Sequence, residues 1–180
     1  MTTQIKETTT YAVDPAHTTA EFVVRHLMIT KVRGRFVGVT GNIELGSGDV
    51  PVGIQASLDA ASIDTHEPQR DAHLKSADFF EVEKFPTLEF ASTRIEGEAS
   101  NFTIYGNLTI HGVTREVALK AEFEGRTTDP WGGHRVGYSA STAINRKDFG
   151  LTWNAALETG GVVVGDEIKI ELNVEAVLEA

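Results

Sequence analysis

The stretch SIDTHEPQRDAHLKSADFF, residues 62–80, concentrates the side chains that can move protons, hold metals or bind anions: His66, Glu67, Arg70, Asp71, His73 and Lys75. His66 and His73, with Glu67 and Asp71 between them, come nearest to a metal cluster. On a helix a separation of seven is two turns, too far for adjacent side chains to chelate one ion. No HExxH pattern and no nucleophile elbow occurs in the chain, and the histidines of DPAHTT and LTIHGVT read as turn or strand-end residues. No catalytic residue and no metal ligand is assigned, and a small-molecule enzyme or a metal-dependent protein stays only as an alternative.

A second polar group is the basic set Arg25, Lys31, Arg33 and Arg35, the densest positive cluster in an acidic chain. An arginine facing a pyrophosphate can give it two parallel hydrogen bonds. Arg25, Arg33 and Arg35 alternate out of phase with Phe22, Val24 and Phe36, which places them toward solvent. His26 shares the phase of Phe22 and Val24 and is expected to face inward near a strand end, either as a ligand contact or as a hydrogen-bonded core histidine. Asn145, Arg146 and Trp153 gather around the end of another long run, where Trp153 can line a tunnel, plug one end or pack in the core.

The elements that position these groups are strands. Ala20, Phe22, Val24 and His26 alternate with polar neighbours, as do Ile54, Ala56 and Leu58, and Phe102, Ile104, Gly106, Leu108 and Ile110. Leu88 and Phe90, Val117 to Phe123, Val136 to Ile144 and Ile168 to Ala176 continue the period of two. About eight strands result, separated by turn signals such as GSGDVP, EGEASN and TTDPWGG. Closing an antiparallel sheet of that size removes both of its edges, so an all-β, eight-stranded antiparallel barrel is expected, with a two-sheet sandwich as the alternative. Glycines within the runs (Gly34, Gly38, Gly41, Gly106, Gly137) suit bends or bulges.

Against this period, Pro68 fits a first helical turn and Asp64 or Thr65 can cap it, so residues 66–75 read as a short helix with Leu74, Phe79 and Phe80 beneath it. Such an insertion lies on the outside or at an end of a barrel, where it forms a polar collar over an apolar well. The plainer reading is a connecting helix whose surface pairs are worth under about 1 kcal/mol each. The barrel interior is itself open to two readings. Small inward residues (Ala20, Ala56, Gly106, Ala121, Ala140, Ala143) leave room for a ligand, or alternate with large ones to give a solid structural core.

Composition narrows the function classes. With 16 Lys and Arg against 26 Asp and Glu the net charge is −10, which argues against nucleic acid and anionic surfaces as partners of the whole molecule. There is no cysteine, hence no disulfide or thiolate site. No apolar run reaches membrane-spanning length, and the start MTTQIKETTTYAV lacks the parts of a secretory signal, so a cytoplasmic protein without stable membrane insertion is expected. Residues 1–10 read as a disordered tail and 11–180 as one domain.

The segments YAVDPAHTTAEFVVRH, VRGRFVGVTGNIEL, ASIDTHEPQRDAHLKSADFFEVEKFPTLEF, YGNLTIHGVTREVAL and INRKDFGL, in this order and spacing, resemble the YceI-like family of lipocalin-like proteins over about residues 11–178. The resemblance implies an extended barrel with a helical insertion around an elongated apolar cavity that binds polyisoprenoids or other long lipid-like molecules, with no established catalysis. Polyprenyl phosphates, quinones and fatty amides would all suit such a cavity; no cofactor is implied. On that reading Phe22, Val24, Phe36, Leu74, Phe90, Leu108 and Ile144 meet the tail. Arg70 and His73 are the head-group candidates, and His26, Asn145 and Trp153 are further ligand-contact candidates. Relatives often form dimers, and a homodimer through a strand edge or the outer face is compatible with the sequence.

Overall fold

The computed structural model describes residues 7–158 and 161–180. The alternating runs become β1 (Thr9–Val13), β2 (Thr19–His26), β3 (Thr30–Phe36), β4 (Val39–Leu45), β5 (Pro51–Asp59) and β6 (Ile63–Asp64). After the helix α1 (Pro68–Lys75) follow β7 (Thr87–Glu98), β8 (Asn101–Ile110), β9 (Val113–Thr128), β10 (His134–Asn145) and β11 (Val164–Leu178). Neighbours pair antiparallel in the order β1-β4-β5-β7-β8-β9-β10-β11, and β11 returns to β1. That closes a barrel of eight staves. β9, at 16 residues, extends about 50 Å at the usual rise, so the barrel is elongated.

The remaining strands continue staves already begun. β1 and β2 lie end to end along β11, from Tyr11 opposite Leu178 to His26 opposite Val164. β3 continues β4, and β6 continues β5. The three staves break at one level: between Ala12–Asn42 and Ala20–Phe36 the ladder lapses, with a 3-10 turn at Pro15–His17, a bend at Val37–Gly38 and a second 3-10 turn at Ala60–Ser62. Beyond the break, β2, β3 and β6 form a small leaf, and residues 30–34 of β3 have only β2 beside them.

The leaf ends in a tight hairpin at 26–29. Ile29 N–H donates to the His26 carbonyl at 3.1 Å, and Leu27 and Met28 have φ of 51° and 60°. This is the mirror-image turn that twisted strands prefer and that Asn-Gly fills most easily. Two ordinary side chains in the left-handed region cost about 1–2 kcal/mol each.

Local chemistry departs from expectation in a few places. Helix α1 starts two residues later than the expected 66–75, because Glu67, rather than Asp64 or Thr65, caps it, accepting from the Gln69 and Arg70 amides. Asp64 accepts instead from the His66 amide, and Thr65 is held by Asp71 and Arg70. Of the expected 1–10 tail, residues 1–6 lie outside the described residues, and Thr9 and Thr10 already pair with β4. Ala143 faces outward opposite Lys169, since Thr142 and Ile144 take the inward phase. Gly34 serves close approach rather than bending, and Gly106 serves both: a Cβ on either would sit 2.3 Å from the ring of Phe22 or Phe90, and Gly106 lies opposite the bulge between Ser92 and Arg94. Gly137 does border a bulge.

Apolar side chains inside the barrel gather in two clusters. Tyr11, Ile43, Leu45, Phe102, Ile104, Leu119, Val136 and Tyr138 fill the end formed by β1 and the start of β10. Phe36, Ala60, Ile63, Leu88, Ile110, Phe149 and Leu151 fill the end beneath the helix.

Candidate functional site

Between the two clusters the side chains do not meet, and a cavity of about 250 Å³ remains. Strand phase explains its walls: Phe22 and Val24 from β2, Ile104 and Leu108 from β8, Ala140 and Ile144 from β10, and Ile168, Ile170 and Leu172 from β11 all point inward. Leu74, Phe79 and Phe80 reach in from the insertion. The surface presented to the cavity is wholly apolar. Water needs two to four polar partners to occupy such a space, so the cavity favours hydrocarbon over water. At ~24 cal/mol per Å³, a packing gap of this volume costs the folded state about 6 kcal/mol. A solid core of Phe22, Phe36, Phe90, Phe102 and Tyr138, the structural alternative, is not what these residues build; all five line the gap.

Of the site residues expected from sequence, Phe22, Val24, Phe36, Leu74, Phe90, Leu108 and Ile144 lie on the cavity wall. The rings of Phe22, Phe36 and Phe80 follow one another at 5.9 and 5.8 Å. His26, Arg70, His73, Asn145 and Trp153 do not line the cavity. His26 ends β2, opposite Val164, one step beyond the lining residue Val24. Arg70 is turned back onto its own segment, donating from Nε to Thr65 Oγ1 at 2.8 Å and from Nη2 to the Thr65 carbonyl at 2.7 Å. Asn145 caps the 3-10 turn Arg146–Phe149 by accepting from the Lys147 amide.

His73 and Trp153 stand together at the helical end. The His73 ring meets Trp153 edge-on at 4.7 Å and Phe79 at 5.1 Å, and its Nε2 lies 2.8 Å from Asp78. Phe79 is on the cavity wall, so this aromatic group forms the layer immediately outside it. Sequence reading places His73 on the rim segment and Trp153 near the end of another strand, without bringing the two together. It gave no site role to Arg146, which is 2 % exposed and reaches the wall. Its guanidinium donates to the carbonyls of Gly165, Leu151, Trp153 and Val164 at 2.9, 2.6, 2.9 and 3.4 Å. Burial holds its pKa below the ordinary arginine value, opposed by Asp166. Arg146 thereby ties the segment after Gly150 to the start of β11. No sequence signal marks this, because a charged residue is expected outside.

Among the described residues, metal-ligating side chains do not converge at the cavity. His66 and His73 engage Asp64 and Asp78 separately. Among the described residues, Asp14, His17 and Glu175 bring ligand atoms within 4.8 Å of one another, on the outer face. Arg135 Nη1 lies 2.8 Å from Asp14 and 3.2 Å from Glu175, so a cation already occupies that position. Arg135 and His17 hold the Asp14 carboxyl down at about 2.

The model of the YceI-like domain family matches residues 11–176. A UPF0312 protein of Staphylococcus aureus (strain MSSA476) is 37% identical over 172 residues, covering 93% of this chain and 96% of its own. The YCEI protein of Campylobacter jejuni superposes with a TM-score of 0.74 at 28% identity, over 87% of this chain and 90% of that one. A polyisoprenoid binding domain from Saccharophagus degradans shares the fold at a TM-score of 0.67 and 14% identity, over 94% and 98% of the two chains.

Proposed function

Since the chain belongs to the YceI-like domain family, we propose that it binds a long isoprenoid or other lipid-like amphiphile, holding the hydrocarbon tail in the barrel. The observation that carries this reading is the wholly apolar cavity that the protein's own side chains leave unfilled. Each CH₂ removed from water contributes roughly 0.8 kcal/mol, against an association and ordering cost of about 4–15 kcal/mol, so a tail of many carbons is required for net binding. The description of the Saccharophagus degradans neighbour as polyisoprenoid binding agrees with that class.

In this reading Phe22, Val24, Phe36, Leu74, Phe90, Leu108 and Ile144 grip the tail, and the head group stays at the helical end beside His73 and Trp153. Arg70 and Arg146 act as braces of the rim, their donors being committed to Thr65 and to backbone carbonyls. Recognition by width and length tolerates several head groups, which suits storage or transport of a lipid and calls for no catalytic group.

Mass spectrometry of an organic extract of the protein, purified from its native host, tests the proposal. The expected result is near-stoichiometric long-chain amphiphile, lost in Leu108→Trp, where the indole takes the tail's space. An extract without lipid, from protein that also fails to take up added farnesol, overturns it.

A further inference from the structure

We propose that the tip of the β2–β3 hairpin docks on an anionic lipid bilayer, at the end of the barrel where an amphiphile would pass in or out. The inference rests on the lipid-binding reading for its purpose, and on the tip's own surface for its chemistry.

The tip is Leu27-Met28-Ile29, with Met28 52% and Ile29 75% exposed. Single apolar side chains on a surface are ordinary, but two adjacent exposed ones beside the half-buried Leu27, in a turn whose geometry favours Asn-Gly, oppose both solvation and local backbone preference. Conflicts of that kind are expected where function imposes them. Behind the tip the outward face is cationic. Arg25 and Lys31 pair directly across the strands, and Arg33 follows opposite Val23, whose other neighbour is Lys169. All four basic residues are exposed. Among the described residues Arg25, Lys31 and Arg33 form no ion pair, whereas Arg35, further along, pairs with Asp64. On β2 the first carboxylate, Glu21, lies beyond them opposite Arg35; on the adjacent stretch of β11, Asp166 is paired with Arg146 and Lys147, and Glu167 stands opposite Asn145.

An apolar tip backed by cations matches the boundary between acyl chains and anionic head groups. The net charge of −10 opposes approach from afar, yet at physiological salt screening acts within about 8 Å, so the nearest charges govern contact. Cations on an open strand edge also prevent edge-to-edge pairing. That accounts for Lys31 and Arg33 but leaves the exposed Met28 and Ile29 unexplained. A second copy meeting tip to tip would set like charges together, so charge complementarity favours the bilayer. Position agrees: Val24 and Val164, which line the cavity, lie at the base of the same hairpin.

Co-sedimentation of the full chain with phosphatidylcholine vesicles, with and without phosphatidylglycerol, tests the inference. Binding to the mixed vesicles is expected, weakening with added salt. Leu27→Asn with Met28→Gly and Ile29→Thr installs residues the turn prefers, so the fold is retained while vesicle affinity falls at least about tenfold. Farnesol uptake, followed by native mass spectrometry, is expected to persist in that variant. Lys31→Glu with Arg33→Glu should abolish the preference for phosphatidylglycerol, and Trp131→Ala, in a turn at the opposite end, should change nothing. The inference is overturned if the natural chain does not sediment, if the tip variant binds equally well, or if that variant alters only the elution volume, which identifies a self-association surface. Farnesol uptake without vesicle binding removes the docking alone; vesicle binding without farnesol uptake supports the docking and removes the cavity reading.

Discussion

Arg146 illustrates how one residue can matter without touching a ligand's polar group. Four carbonyls from two separate segments accept from one buried guanidinium, and among the described residues only that of Val164 has a second side-chain donor, Asn154 Nδ2 at 2.7 Å. Removing it leaves buried acceptors unpaired, at about 1–3 kcal/mol each in the worst case. Arg146→Ala is expected to lose on the order of 3 kcal/mol in denaturant unfolding and to expose the segment following Leu151 to proteases. Asp14 permits a test by pH. Its carboxyl titrates at about 2 because Arg135 and His17 favour the charged form. A depressed pKa adds stability above the unfolded value near 4, and that stability fades as pH falls toward 2. Asp14→Asn should therefore flatten the fall in Tm between about pH 4 and pH 2 while lowering Tm at neutral pH. Neither residue's role was legible in the sequence, because both depend on partners more than a hundred positions apart or on backbone carbonyls, which leave no pattern. Phe22, Val24, Phe90 and Ile144 were legible, since strand phase alone decides which way they point.

At the level of elements, the period of two located the long strands, while the ends of elements followed local chemistry that it does not encode. Glu67 displaced Asp64 and Thr65 as the helix cap because those two were already engaged in the turn before it. Leu74 reached the cavity as its apolar neighbours suggested, but His73, one residue earlier, was turned onto Trp153. Gly34 shows pairing between elements: the Phe22 ring lies over it, filling the place of a Cβ. Gly34→Ala should press that ring into the cavity and raise the Kd for farnesol roughly tenfold by calorimetric titration, the scale of about 1–3 kcal/mol of overpacking. An unchanged affinity would show that Phe22 does not bound the tail.

Under the proposed function, the stability of the whole molecule is linked to occupancy of the cavity. A tail filling the cavity at a hundred times its Kd would add about 2.7 kcal/mol, and for a chain of this length removing it should lower Tm by roughly 5–10 °C. Differential scanning calorimetry before and after lipid extraction checks this; equal Tm values would mean that the tail lies elsewhere. Among the described residues no helix is long and apolar enough to cross a membrane.

The aligned interruption of three neighbouring staves gives the wall a crease on one side, while β9, β10 and β11 run past that level unbroken. Residues 30–34 of β3, with a ladder partner on one side only, are the least cross-linked part of that wall. Amide hydrogens of β3 should exchange with solvent together, well before those of β9 and β10.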